Sequence, residues 1–174
     1  MKTQLTAAVL LSHVLNAGLA TAQTTTTTAP AAKKGTVMTA QANGTFDVKV
    51  KPLLEDEKVA GVKVSRLSID KEWKGDMVGT SKGEMMATGA EVEGSGGYVA
   101  IEPMAVTLNG RKGTFTLMHH ATMRANADFK MLINVVPDSG TGELTGIGGT
   151  LTIIIEGKNH SYKLDYTLPE AGHP

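Results

Sequence analysis

The sequence has no cysteine, which excludes disulfides, thiolate chemistry and a lipid anchor built on an N-terminal cysteine. Charge bias is missing too. Seventeen Lys and Arg balance seventeen Asp and Glu, so there is no electrostatic case for a nucleic acid or an anionic membrane as partner. No apolar run is long and uninterrupted enough for a good transmembrane helix, and no segment has a convincing amphipathic helical period. What remains, at 174 residues, is a chain suited to one domain with a sizeable core. The lack of cysteine says nothing about compartment.

The N-terminus does. Met1-Lys2 opens a short positive region, Leu5 to Ala20 is mostly apolar though interrupted by Ser12-His13 and Asn16, and Ala20-Thr21-Ala22 supplies an A-x-A cleavage site before Gln23. This pattern predicts a secretory signal peptide over residues 1–22 and a secreted or periplasmic location. Residues 23–37, rich in Thr, Ala and Pro, read as a disordered tether without apolar periodicity. A single domain is expected over 38–170. Asn43-Gly44-Thr45 and Asn159-His160-Ser161 match the N-glycosylation pattern, which matters only in a eukaryotic source.

Within that domain, alternation of period two dominates. Thr39 to Lys51 sets Phe46, Val48 and Val50 against Thr45, Asp47 and Lys49. Gly61 to Trp73 changes phase between Val62/Val64 and Leu67/Ile69/Trp73, which predicts a bulge near Ser65-Arg66. Met77 to Thr88 is a strand without a clear face, and Ala127 to Val136 is apolar on both faces after Phe129. Glu143 to Glu156 reads as a strand broken by Gly146, Gly148 and Gly149. In His160 to Leu168 the alternation is cleanest.

The centre of the domain is a hairpin. Tyr98, Ala100, Glu102, Met104, Val106 and Leu108 share one face, as do Phe115, Leu117, His119, Ala121 and Met123. With Gly110-Arg111 as the two-residue loop, or a four-residue loop from Asn109 to Lys112, Leu108 faces Gly113 and Glu102 faces His119 directly. Eight strands with short loops predict an all-β, eight-stranded antiparallel barrel, closed so that no edge is left exposed; a β-sandwich is the alternative.

Several polar residues fall on the apolar face. Glu102 and His119 are the candidate catalytic pair, the carboxyl raised by burial and acting as base or proton carrier, with Tyr98 as a phenolic donor. Lys71 is in phase with Trp73, and Glu84 with Val78 and Met86, so both are expected inside. Tyr98, Lys71, Glu84, Trp73, Met104, Phe115 and Leu117 form the candidate ligand-binding set. The competing structural reading makes Glu102 and His119 a satisfied pair that fixes register, with Lys71 neutralising Glu84. His119 and His120 point to opposite faces and cannot meet one ion from one wall, and neither a metal nor a cofactor is expected. Ser139 sits in tight-turn chemistry and lacks a nucleophile-elbow context.

Gly44-Thr-Phe-Asp-Val48, Lys71-Glu-Trp-Lys-Gly-Asp-Met77, Gly83-Glu-Met85, Gly97-Tyr-Val-Ala-Ile-Glu102, Leu108-Asn-Gly-Arg-Lys-Gly-Thr-Phe115, His119 and Val136-Pro-Asp-Ser-Gly-Thr-Gly-Glu-Leu144 carry a resemblance. From about Met38 to Leu168 the chain resembles a bacterial domain-of-unknown-function family, number 3224, which looks like part of the allene oxide cyclase-like barrel superfamily. Ser139-Gly-Thr-Gly142 followed by Gly146 also resembles the Gly-Thr-Gly hairpin of dirigent-like and cyclase barrels. The resemblance implies an eight-stranded barrel with a cavity, in a superfamily that includes cyclases and isomerases of apolar substrates. It implies no reaction, because one fold hosts many functions. Three functions are carried forward: a barrel binding a small apolar ligand in its interior, an isomerase or cyclase of an apolar substrate using Glu102 and His119, and a non-catalytic interaction or homo-oligomer-forming barrel.

Overall fold

A computed structural model of the protein describes residues 36–127 and 129–170; the expected signal peptide and nearly all of the expected tether lie outside the described residues. The strands are β1 Val37–Pro52, β2 Glu57–Val59, β3 Val62–Gly75, β4 Met77–Gly89, β5 Gly96–Leu108, β6 Arg111–Met123, β7 Phe129–Val135, β8 Gly148–Glu156 and β9 Asn159–Pro169. They form one antiparallel sheet in the order β1-β9-β8-β7-β6-β5-β4-β3-β2, and the β1–β3 pairing closes it. The result is the eight-stranded barrel expected from the alternation, with no α-helix among the described residues. The short β2 is a ninth strand outside the ring. Where Pro52 ends β1, β2 takes over pairing with β3 through the Ala60-Gly61 turn, whose φ values of 50° and 82° are both positive.

Parity held in most strands, and the differences have local causes. No bulge interrupts β3: its register with β4 runs without insertion from Val64↔Thr88 to Trp73↔Gly79. Val62 and Val64 lie instead in the β2–β3 ribbon beyond the barrel, where no core dictates the face. Residues 143–147 are not strand. Gly142–Leu144 is a single 3-10 turn that buries Leu144, and Ile147 follows it into the core before β8 begins. In β4 the inward residues are Met77, Ser81 and Met85, while Val78, Glu84 and Met86 face out. Glu84 is therefore on the opposite side of the wall from the one expected.

The central hairpin is two residues out of the expected register. Its loop is Asn109-Gly110, with Leu108 opposite Arg111, so Glu102 faces Leu117 and His119 faces Ala100. The turn chemistry explains this. A two-residue turn that suits strand twist needs positive φ at both positions, and Asn109 and Gly110 supply 47° and 83°, whereas Arg111 would meet a Cβ penalty there. A shift of two leaves every face unchanged, so alternation alone does not reveal it.

The ends of the barrel differ. One is closed by Leu144 and Ile147 from the turn segment, with Met77, Leu108, Phe115 and Leu168 fully buried around them. Tyr162 ties this region together: its hydroxyl accepts from the Met77 N–H at 2.9 Å and donates to the Met77 carbonyl at 3.3 Å. The other end is ringed by inward residues that are only partly buried.

Gly79 tests the bend in β4. Its φ is +149°, and a Cβ there would lie 2.3 Å from the Ala105 carbonyl oxygen. Gly79→Ala is expected to lower stability by about 2 kcal/mol or more in urea denaturation, whereas Gly89→Ala, with open space around it, changes stability by less than about 0.5 kcal/mol.

Candidate functional site

Four barrel strands deliver polar groups to one point inside. Glu102 on β5 is fully buried. Its Oε2 accepts a hydrogen bond from the Lys71 ammonium of β3 at 2.8 Å, and its Oε1 accepts one from the Ser81 hydroxyl of β4. Ser81 in turn accepts from the indole N–H of Trp73 at 2.9 Å. His119 on β6 brings Nε2 to 2.8 Å from the same Oε2. That contact is one of proximity, since the ring N–H is not aimed along it and Nε2 has no aligned hydrogen-bond partner. Lys71 Nζ also lies 5.0 Å from the ring centroids of both Phe46 and Trp73, within cation–π range.

These placements follow from sheet geometry. Lys71 and Ser81 are direct cross-strand partners, so both side chains leave the wall at one level. Glu102 lies diagonally from Ser81 across the β4–β5 pair, beside Gly83. A Cβ on Gly83 would lie 3.0 Å from the Glu102 Cα and 2.9 Å from Ile69 Cγ1, so the glycine lets β3 and β5 lean together over β4. His119 reaches Glu102 on the diagonal, past Leu117, with the small Ala100 opposite it.

The electrostatics differ from those expected of a general base. Burial by itself would raise the Glu102 carboxyl, but the contacts with His119, Lys71 and Ser81 outweigh it and hold the pKa below the ordinary carboxylate value. Burial pushes the Lys71 ammonium down, partly opposed by the Glu102 charge. Both oxygens of Glu102 are occupied, and no part of it reaches solvent. The carboxylate is thus a paired internal anion, and the expected raised pKa is not found. Its lysine partner is also a correction: Lys71 pairs with Glu102 and not with Glu84.

Of the residues singled out in the sequence, Lys71, Trp73, Glu102 and His119 meet in this network, and Met104, Phe115 and Leu117 pack in the core below it. Tyr98 stands apart at the open end. Its hydroxyl contacts Met131 Sδ at 3.7 Å, and burial, followed by the Glu102 charge, raises its pKa. Ser81 was missed because Met77 and Met85, which share its parity, are matched by Val78 and Met86 on the other face. Ser139 is a turn residue: its hydroxyl donates to the Val136 carbonyl at 2.7 Å and accepts from the Thr116 N–H at 3.0 Å.

Glu84 lies on the outer wall, where the sheet carries a groove of about 840 Å³ lined from β3 to β6 by residues including Arg66, Asp70, Lys82, Glu84, Met86, Val99, Ile101, Pro103, Met118 and His120, with Leu53 beside it. Most of the lining residues have outward parity, which sets the groove on the outer side of the wall.

Comparison with known proteins gives the fold a family context. A family model described as a protein of unknown function, DUF3224, matches residues 42–166. A crystal structure of a protein of unknown function from the DUF3224 family of Shewanella oneidensis MR-1 is similar at 40% identity and a TM-score of 0.67, covering 74% of this chain and 97% of that one. No curated protein matches the chain significantly.

Because the folded-state pKa of Glu102 lies below the ordinary 4.5, its contribution to stability is complete above that value and is lost as pH falls through the folded pKa. Glu102→Gln leaves Lys71 buried without its counter-charge and is expected to cost about 3–5 kcal/mol at neutral pH. Urea midpoints followed from pH 7 towards pH 3 should converge for wild type and variant as wild type loses the carboxylate. Parallel curves would refute the assignment.

Proposed function

We propose that this chain, which belongs to the DUF3224 family of proteins of unknown function, is a non-catalytic binding barrel that takes a small, largely apolar ligand at its open end. The observation that carries this reading is the inequality of the two ends. At the end opposite the turn segment, the inward positions are Val48, Leu67, Met85, Tyr98, Met131, Ile153 and His160, all partly buried. Each has a fully packed inward neighbour deeper in the barrel or the polar network beneath it. A ring of half-covered apolar side chains with one phenol and one imidazole is the composition of a ligand mouth, apolar with a few polar groups that fix orientation.

The packed interior limits the ligand to this mouth. Trp73, Met104, Phe115 and Leu117 are each at most 1% exposed, so the interior set expected from the sequence acts as floor and filling. Lys71 and Glu102 give the floor its polarity as a buried ion pair in which both carboxylate oxygens are occupied, which argues against Glu102 as the base of an isomerase. The likeness to allene oxide cyclase-like barrels supports a ligand-accepting end and supplies no catalytic residue. Export is part of the same proposal, resting on the leader-like residues 1–22; Edman sequencing of protein recovered from its host should begin at Gln23, and a start at Met1 or Lys2 would refute export by cleavage.

The neutral fluorescent probe N-phenyl-1-naphthylamine tests the mouth. It should bind saturably, one per chain, and Leu67→Trp should weaken binding at least about tenfold, the equivalent of about 1.4 kcal/mol. Ile101→Lys on the outer wall should leave it unchanged. Absence of saturable binding, or loss only with Ile101→Lys, would overturn the reading.

A further inference from the structure

The outer wall carries apolar side chains that the barrel's own core does not use. Met86, Val99, Ile101, Met118 and Leu132 face solvent, each between 48% and 53% exposed. The registers join them into one patch. Met86 pairs with Val99, Val99 with His120 and His120 with Leu132, while Ile101 and Met118 pair in the adjacent row. Contiguous apolar surface of this kind on a soluble protein marks an interaction site.

Charges of both signs border it. Arg66 and Lys82 stand beside Asp70 and Glu84, and the register sets Asp70 opposite Lys82. Yet among the described residues none of these four is in an ion pair; the pairs are Lys63–Asp56, Lys71–Glu102, Lys74–Asp47, His119–Glu102 and Lys163–Asp165. A border of mixed, unengaged charges complements another border of mixed charges. A polyanion or an anionic bilayer would call for a cationic surplus; around the groove two cations meet two anions, and Lys130 on β7 adds a single further cation at the edge of the patch.

Shape and area point the same way. The wall of a twisted barrel is a saddle, bulging around the circumference and hollow along the axis, and that hollow is the groove of about 840 Å³ between Leu53 and Met118. Two copies of one saddle fit each other when their axes cross, the bulge of each filling the hollow of the other. Unrolled, five strands at ~4.8 Å spacing and about eight residues at ~3.4 Å rise give roughly 650 Å² of wall; because they pass round more than half the barrel, a partner meets the central part of it, the size of a small interface.

We propose that the outer face of β3–β7 is a two-fold interface between copies of this chain, with Val99, Ile101 and Met118 at its centre and Arg66, Asp70, Lys82 and Glu84 pairing across its border. The contact is isologous, the same patch serving both subunits. It leaves the open barrel end free in each copy.

Sedimentation velocity on the purified protein, from micromolar to roughly 100 µM, should show a concentration-dependent dimer. The double variant Ile101→Lys, Met118→Lys should weaken dimerisation at least about tenfold while its far-UV circular dichroism matches wild type. Should that variant misfold, Val99→Thr, a milder change on an exposed strand position, should still shift the equilibrium towards monomer. A wild-type monomer at the highest concentration, or a dimer unaffected by folded variants of the patch, overturns the proposal. So does a monomeric protein that co-floats with phosphatidylcholine–phosphatidylglycerol vesicles, an outcome that would give the face to a membrane.

Discussion

A carboxylate sealed inside a barrel has to be met by donors, and Glu102 finds them on two other strands, with the His119 ring of a third close by. Taking an anion out of water costs several kcal/mol, and only well-placed partners offset that. Lys71, Ser81 and His119 come from β3, β4 and β6, so the requirement falls on the relative placement of four consecutive strands. The partners are themselves held. Trp73 donates to Ser81, and the Phe46 and Trp73 rings flank the lysine ammonium. Phe46 belongs to β1, the strand whose pairing with β3 closes the barrel. The network therefore connects charge satisfaction to closure.

The difference between the two barrel ends has an equally local origin. At the closed end, the segment after β7 folds across the barrel and inserts Leu144 and Ile147. It comes very close: a Cβ on Gly113 would lie 2.1 Å from the Thr141 carbonyl oxygen, and one on Gly140 would lie 2.1 Å from the Leu144 carbonyl oxygen. Glycine at both positions is what allows a plug at this depth. No corresponding segment crosses the other end among the described residues. There the strands simply run past the last complete core layer, and their inward side chains stay half covered.

Much of this was legible in alternation. Parity placed Phe46, Lys71, Trp73, Glu102, His119 and Tyr162 inside correctly. Register was not legible in the same way, because period two is blind to a slip of two; the choice between Asn109-Gly110 and Gly110-Arg111 rested on turn chemistry, and the requirement for two positive φ values decides it. The Gly142–Leu144 plug was hidden because glycines that permit close approach resemble glycines that interrupt a strand. Ser81 and Glu84 failed together. With Met77 and Met85 on one face and Val78 and Met86 on the other, β4 offers no apolar contrast, so the face of every polar residue in it was undetermined.

That loss of contrast has a physical meaning of its own. A strand that is apolar on both sides is normally one that is covered on both sides, as in the central strands of layered α/β proteins. In a closed barrel the inner side is covered by the core, and nothing in the fold covers the outer. β4 and β7 both have this two-faced character, β4 through Val78 and Met86 and β7 through Leu132, while β5 and β6 between them add Val99, Ile101 and Met118. β4 and β7 flank β5 and β6 in the sheet, so the four strands form one sector, whereas Asp47 and Lys49 lie exposed on β1. Exposed apolar side chains also occur on other strands, among them Val37 and Val50 on β1 and Ile154 and Ile155 on β8. What distinguishes Met86, Val99, Ile101, Met118 and Leu132 is that the strand registers set them side by side in one patch, and Met86 is also one of the residues that obscured the face of Glu84 in the sequence.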